Sequence, residues 1–316
     1  MRRSLVRSRR MASVVEAVGE TPLLRLEKVG RDAPSVEVYA KLEFANPGGS
    51  VKDRAALRMI QTALADGRLT ADKTLIDSTS GNTGVAYSLY GAALGVRVAL
   101  VLPSNVTQSR KDIARAFGTE LIYSDPMEGS DGAIRAVRAL VAKDPERYFY
   151  PDQYSNPDNP LAHYHGTGAE ILDAVGDRIT HFVAGLGTTG TMMGTARRLR
   201  EFDRPIRCVA VEPADPLHGL EGLKHLPSSL VPAIHDGAGY DETRRITTED
   251  GWDMSERLAR EEGLNAGHSG GAAIVAALAI ARELHERQQG GCVVAILPDR
   301  GDRYFPRMKW EQNYLW

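Results

Sequence analysis

THFVAGLGTTGTMMGTARRLREFDRPIRCVAVEP, residues 180–213, decides how the chain folds. Two apolar runs, THFVA and IRCVAVEP, enclose a helical pattern, TMMGTARRLREF, and glycines mark the first junction. Strand, helix and strand in that order form a crossover unit whose strands run parallel. The alternation extends outward in both directions. Strand-like runs are VEVYAKLE (36–43), TLIDSTS (74–80), VRVALVLP (96–103), ELIYSD (120–125) and CVVAILPD (292–299). Helical patterns are VKDRAALRMIQTALADG (51–67), NTGVAYSLYGAALG (82–95), GAIRAVRALVAKD (132–144) and SGGAAIVAALAIARELHERQ (269–288). The expected fold is α/β with mainly parallel sheets. Only 213–247, rich in Pro, Gly and His, reads as a long irregular stretch, and loops of that length usually carry function or move.

Composition narrows the class. The 316 residues carry a net charge of −2, without the basic field that nucleic acid would attract. No apolar run reaches the roughly 18 residues of a membrane span. Cys208 and Cys292 each lie in a strand-like run and read as buried thiols of a reducing compartment, so a cytoplasmic location is expected. The first ten residues hold five arginines but no apolar segment follows, which argues against a secretory signal. Residues 1–11 are expected to be a disordered basic tail, with Met11 as an alternative start.

Three glycine-rich turns carry the chemistry. GLGTTG (185–190) matches G-x-G-x-x-G literally, and Glu212 closes the next strand at about the 20-residue spacing of a dinucleotide fingerprint. An NAD-dependent dehydrogenase is therefore one reading. The underlying physics is anion binding by backbone N–H groups at the positive end of a helix. Thr188, Thr189 and Thr191 add hydroxyls, which suits a compact monophosphate. In NPGGSVKDR (46–54), Ser50 and Asp53 form an S-x-x-D capping box that puts Lys52 in the first helical turn. The helix field opposes the ammonium there and lowers its pKa, and a neutral amine is what carbonyl chemistry needs. A solvated surface lysine is the commoner fate of the residue type. In STSGNTG (78–84), Thr79, Ser80, Asn82 and Thr83 surround another helix start and suit a carboxylate; an elaborate N-cap is the plainer reading.

A fourth turn, Gly267-His268-Ser269-Gly270-Gly271, fits the hydrolase elbow G-x-S-x-G. Its context does not. MSERLAREEGL precedes it instead of an apolar strand, and His285, the one histidine after Ser269, comes before Asp299 and Asp302, against the order serine, acid, histidine.

A poised lysine, a monophosphate cup and a carboxylate cup are what pyridoxal 5′-phosphate needs to act on an amino acid. From about residue 14 to 304 the chain resembles the cysteine synthases (O-acetylserine sulfhydrylases) of the fold type II pyridoxal-phosphate enzymes, closest to the cysteine synthase B branch. GETPLLRL, NPGGSVKDR, TSGNTG, DQYSNPDNP, GLGTTGT, the serine segment and PDRGDRY occur in that family's order, and SVKDR together with TSGNTG is highly specific. The resemblance implies two three-layer α/β domains of the tryptophan synthase β-like type. Residues 12–45 and 151–316 would form the larger, cofactor-binding domain, and 46–150 a smaller mobile domain that closes over the substrate carboxylate. It implies Lys52 as Schiff-base lysine and general base, Asn82 on the cofactor's ring hydroxyl, and Gly187, Thr188, Thr189, Gly190 and Thr191 around its phosphate. Ser269 would face the pyridine nitrogen, and Thr79, Ser80, Thr83 and Gln153 would hold the substrate α-carboxylate. No metal is implied.

The activity implied is β-replacement: an O-activated serine, with O-acetylserine favoured, and sulfide or another sulfur donor give L-cysteine. Cystathionine β-synthase-type condensation, use of O-phosphoserine and a catalytically silent binding relative are the alternatives. Lys224, Arg300, His218 and His225 are the cations that could meet an anionic leaving group. The serine segment departs from the family's usual Gly-Ile-Ser-Ser-Gly, with His268 either packing or tuning the ring. The ending also departs, and Trp310, Tyr314 and Trp316 suggest a contact within an expected homodimer.

Overall fold

The structure, a computed structural model, describes residues 10–79 and 81–304. Ten strands are present among them: β1 (Leu23–Arg25), β2 (Val36–Leu42), β3 (Thr74–Asp77), β4 (Arg97–Pro103), β5 (Glu120–Ser124), β6 (Tyr148–Phe149), β7 (His181–Gly185), β8 (Arg207–Pro213), β9 (Glu242–Ile246) and β10 (Gly291–Leu297). They form a six-stranded sheet of order β1-β2-β10-β7-β8-β9 and a four-stranded sheet of order β5-β4-β3-β6. All neighbours run parallel except β1 and β2. The helices are α1 (Lys52–Ala65), α2 (Asn82–Leu94), α3 (Gln108–Ala116), α4 (Gly129–Lys143), α5 (Asp158–His165), α6 (Thr167–Val175), α7 (Gly190–Arg200), α8 (Thr248–Arg257) and α9 (His268–Glu286).

Strand periodicity sorts the side chains into layers. In the large sheet, Val183, Val209 and Val293 pack with residues of α8 and α9 on one face. Their neighbours Phe182, Cys208 and Val294 pack with α6 and α7 on the other. The small sheet does the same: Leu75, Val98 and Leu100 meet α1 and α2, while Ile76, Ala99 and Val101 meet α4. Strands covered on both faces read as continuous apolar runs, which is why they stand out in the sequence. The α/β class with mainly parallel sheets is what the structure has.

The irregular stretch expected over 213–247 is shorter than that, because β9 occupies its end. ETRRI alternates partly covered Glu242 and Arg244 with exposed Thr243 and Arg245 at the sheet edge, so no apolar run marks it. β1 and β6, of three and two residues, are too short to show a period. Both cysteines are free and buried; burial pushes the Cys208 thiol up to about 12 and that of Cys292 to about 11. Among the described residues no helix is long and apolar enough to cross a membrane. Residues 1–9 and Trp310, Tyr314 and Trp316 lie outside the described residues.

Candidate active site

The carboxyl ends of β3, β7 and β10 lead into the three segments that build the site, as expected of parallel α/β sheets. One cleft is lined by Lys52, Asn82, Gly187, Thr188, Thr189, Thr191, Ser269 and Asp299, among others. Residues drawn from four separate motifs thus meet at one place.

Lys52 is the first residue of α1. The capping box forms in part: the Ser50 N–H donates to Asp53 Oδ2 at 3.0 Å, but the Ser50 hydroxyl accepts from the Lys52 N–H at 3.2 Å, one residue early. The Lys52 amine makes no hydrogen bond to the described residues. Burial lowers its pKa, and nearby Asp299 only partly opposes the shift. Two residues on, Arg54 fixes the helix to the large sheet. Its guanidinium donates to Glu43 and Glu170, each at 2.6 Å, and Lys41 reaches Glu170 at 2.6 Å. Removing one member of a buried ion cluster of this kind costs about 3–5 kcal/mol.

The 185–191 turn is closed against side chains. A Cβ on Gly187 would lie 2.2 Å from the Gly222 carbonyl oxygen, and one on Gly190 would lie 2.0 Å from Asn159 Oδ1. Gly190 itself faces Asn159 and not the cleft. Thr189 adopts φ 71°, in the left-handed region, and its buried hydroxyl has no hydrogen-bond partner among the described residues. Thr188 Oγ1 accepts from Asn159 Nδ2 at 3.0 Å, and Thr191 Oγ1 meets His163 Nε2 at 3.3 Å. Burial, with the Arg54 and Lys52 charges, holds His163 well below its usual pKa. Glu212, the acid of the dinucleotide reading, is buried and accepts from Arg245 Nε at 3.0 Å and the Leu226 N–H at 3.3 Å. It is not available to a ribose.

The second turn opens α2. The N-cap, Gly81, has no side chain to cap the helix with, and its N–H donates to the Thr79 hydroxyl at 3.4 Å. Thr83 Oγ1 donates to Gln153 Oε1 at 2.8 Å, which joins two of the residues expected at the carboxylate, both buried. Thr79 lines a smaller adjoining cavity with Gly81. Ser80 lies outside the described residues.

Ser269 is the second residue of α9, is buried, and makes no hydrogen bond to the described residues. His268 is packed: it stacks on Trp252 at 4.3 Å between ring centres and meets Tyr304 at 5.5 Å. No histidine bonds to Ser269, so the hydrolase arrangement does not form. The segment after β10 carries residues that sequence reasoning missed. Asp299 is buried and accepts from Asn82 Nδ2 at 2.6 Å and from the Tyr304 hydroxyl. Burial raises its pKa. Arg303 donates to Asn82 Oδ1 and to the Gly48 carbonyl. Arg300, which the sequence suggested for an anion, is exposed and paired with Asp302 at 2.9 Å; the inward arginine of PDRGDRY is Arg303. Lys224 lies over the Tyr154 ring at 5.2 Å. Asn159 and Arg303 lie inside DQYSNPDNP and PDRGDRY, but their roles, like that of His163, come from contacts far away in sequence that no motif shows.

These residues fit pyridoxal phosphate. The 185–191 turn excludes any Cβ yet leaves a buried hydroxyl unpartnered, Lys52 presents an unbonded amine of lowered pKa, and Ser269 presents an unbonded hydroxyl to the same cleft.

The pyridoxal-phosphate dependent enzyme family matches residues 14–299. A cysteine synthase of Aquifex aeolicus is 49% identical over 294 residues, covering 92% of this chain and 90% of its own. Cysteine synthase B of Salmonella typhimurium is 40% identical over 294 residues, covering 93% and 94%. The crystal structure of a cysteine synthase from Entamoeba histolytica superposes with a TM-score of 0.91 at 34% identity, covering 98% of this chain and 94% of the other. The chain belongs to the pyridoxal-phosphate dependent enzymes, among the cysteine synthases.

Proposed function

We propose that the chain catalyses β-replacement, forming L-cysteine from O-acetylserine and sulfide. The observation that carries this is the Lys52 amine, unbonded and of lowered pKa, in one cleft with the 185–191 turn and Ser269. The backbone and hydroxyls of Gly187, Thr188, Thr189, Gly190 and Thr191 would hold the phosphate. Asn82, its Nδ2 oriented by Asp299 and its Oδ1 by Arg303, would donate to the ring hydroxyl. The Ser269 hydroxyl would donate to the pyridine nitrogen without protonating it, and bound pyridoxal phosphate supplies the electron sink for bond changes at the substrate's α and β carbons. Lys52 Nζ removes the α-proton and later returns it. Thr79, Ser80, Thr83 and Gln153 orient the substrate carboxylate, and the unit of residues 46–150 closes on it and excludes water.

Among the described residues lining the cleft, Lys52 is the only cation. A departing phosphate dianion would find no second cation in the wall, which favours acetate as the leaving group. We infer a homodimer located in the cytoplasm; buried free thiols with raised pKa suit a reducing compartment. The test is cysteine formation from O-acetylserine and sulfide by purified protein. Lys52→Ala should lower the rate by at least about 10^3 and remove the visible absorbance of the bound cofactor. Full activity in that variant would end the assignment.

A further inference from the structure

Arg110 and Glu221 form an ion pair, Nη2 to Oε2 at 2.5 Å. Arg110 belongs to α3, beside the four-stranded sheet; Glu221 belongs to the segment joining β8 and β9 of the six-stranded sheet. Glu221, Gly222 and Leu223 wall the cleft that holds Lys52, whereas Arg110 lines the adjoining cavity with Thr79 and Gly81. The pair therefore joins a wall of one cavity to a wall of the other. Its side chains keep 32% and 55% of their exposure, so it faces solvent.

The two partners are held differently. The Lys224 N–H donates to the Leu186 carbonyl at 2.7 Å. Gly219 is fixed by Thr248 Oγ1 at 3.0 Å and by Trp252 Nε1 at 3.2 Å. Glu221 thus sits on a short span clamped at both ends. α3 buries one residue, Ala114, and is the less firmly packed partner. An exposed ion pair is weak and screened by salt, so it can open and close readily.

We propose that the Arg110–Glu221 bridge is a gate that selects the sulfur nucleophile by size. Hydrosulfide passes with the bridge made; a thiol bearing a bulky group must part it. This rests on the β-replacement reading above. Arg110 and Glu221 are positioning residues and touch no reacting atom.

The test uses holoenzyme: wild type, Glu221→Gln, Arg110→Gln and the exchanged pair Arg110→Glu/Glu221→Arg. The ratio of kcat/KM for thiophenol to that for hydrosulfide should rise about fivefold in each single variant, the worth of an exposed ion pair, and return in the exchanged pair. At about 1 M salt, where the screening length falls to about 3 Å, the wild-type ratio should rise and that of Glu221→Gln should not. Independently of activity, amide hydrogen exchange over residues 108–112 should quicken in Glu221→Gln and slow again in the exchanged pair. An unchanged ratio with hydrosulfide turnover intact overturns the gate and leaves the function standing. A wild type that makes no cysteine from hydrosulfide overturns the function instead. Unchanged exchange overturns the gate whatever the activity.

Discussion

Two glycine- and threonine-rich turns, 185–191 and 78–84, look alike in sequence and are built differently. Each follows a parallel strand and opens a helix. The first is locked: Gly187 is against the Gly222 carbonyl, Gly190 is against Asn159, and Thr189 is held at a positive φ. The second is open at Gly81, where a Cβ would touch nothing within 4 Å, and close only at its far end, where a Cβ on Gly84 would lie 2.8 Å from the Thr79 carbonyl oxygen. The first suits a ligand that stays, because a preorganised N–H cage needs no rearrangement to hold it. The second suits a ligand that comes and goes, because a turn that must close on each substrate cannot be packed solid.

The contrast is easiest to break with a methyl group. Gly190→Ala should cost about 1–3 kcal/mol by overpacking, read as roughly tenfold or greater loss of cofactor retention on dialysis. Gly81→Ala should leave retention and thermal stability at wild-type values. Equal damage from both substitutions would remove the distinction between the turns.

A smaller effect should separate their ligands. Thr83→Val deletes the hydroxyl that donates to Gln153, and an interaction of that size is worth about 1–3 kcal/mol. KM for O-acetylserine should rise about tenfold, with the visible absorbance of the cofactor unchanged. Loss of the cofactor in this variant would mean that the second turn serves it too.

The smallest effect lies beneath the second turn. Asp77, buried at the end of β3, is pushed up to about 7 by burial, opposed by the Ser78 N–H and by Tyr87, and raised further by Asp152. Its ordinary value is 3.8, so between 3.8 and about 7 the folded protein holds a proton that the unfolded chain has lost. Its contribution to stability is complete below 3.8 and is lost as pH rises through about 7. The slope is at most about 1.4 kcal/mol per pH unit. Urea unfolding between pH 5 and pH 8 should show this decline in wild type and a flatter line in Asp77→Asn. Parallel curves would show that Asp77 titrates normally.

The long buried strands were legible because coverage on both faces leaves an apolar run, and ETRRI of β9 was not because an edge strand carries charge. The same division runs through the site. Lys52, Asn82, Thr188 and Ser269 sit at helix starts, where glycine and hydroxyl residues cluster in sequence and advertise the turn. Arg303 on Asn82 and Asn159 on Thr188 act across gaps that no local pattern spans, and ordinary-looking Glu221 gains its interest only from meeting Arg110. Arg300 and Arg303 illustrate the limit well, since one motif holds both and only the three-dimensional course of the chain says which turns inward.

β10, the last strand to be made, lies between β2 and β7, with Val294 opposite Tyr39 on one side and Phe182 on the other. Beyond it, Pro298 and Asp299 receive the Val51 and Gly267 N–H groups, so the same segment clasps both the lysine and the serine arms. On the ribosome, the four-stranded sheet is complete once residue 149 has emerged, while β2 waits with a bare edge for β10. A chain stalled before residue 291 would have Lys52 and its glycine turns and should still be unable to hold a coenzyme. Holoenzyme assembly is thereby tied to the synthesis of β10, and products truncated before it should emerge colourless and prone to aggregate along that unpaired edge.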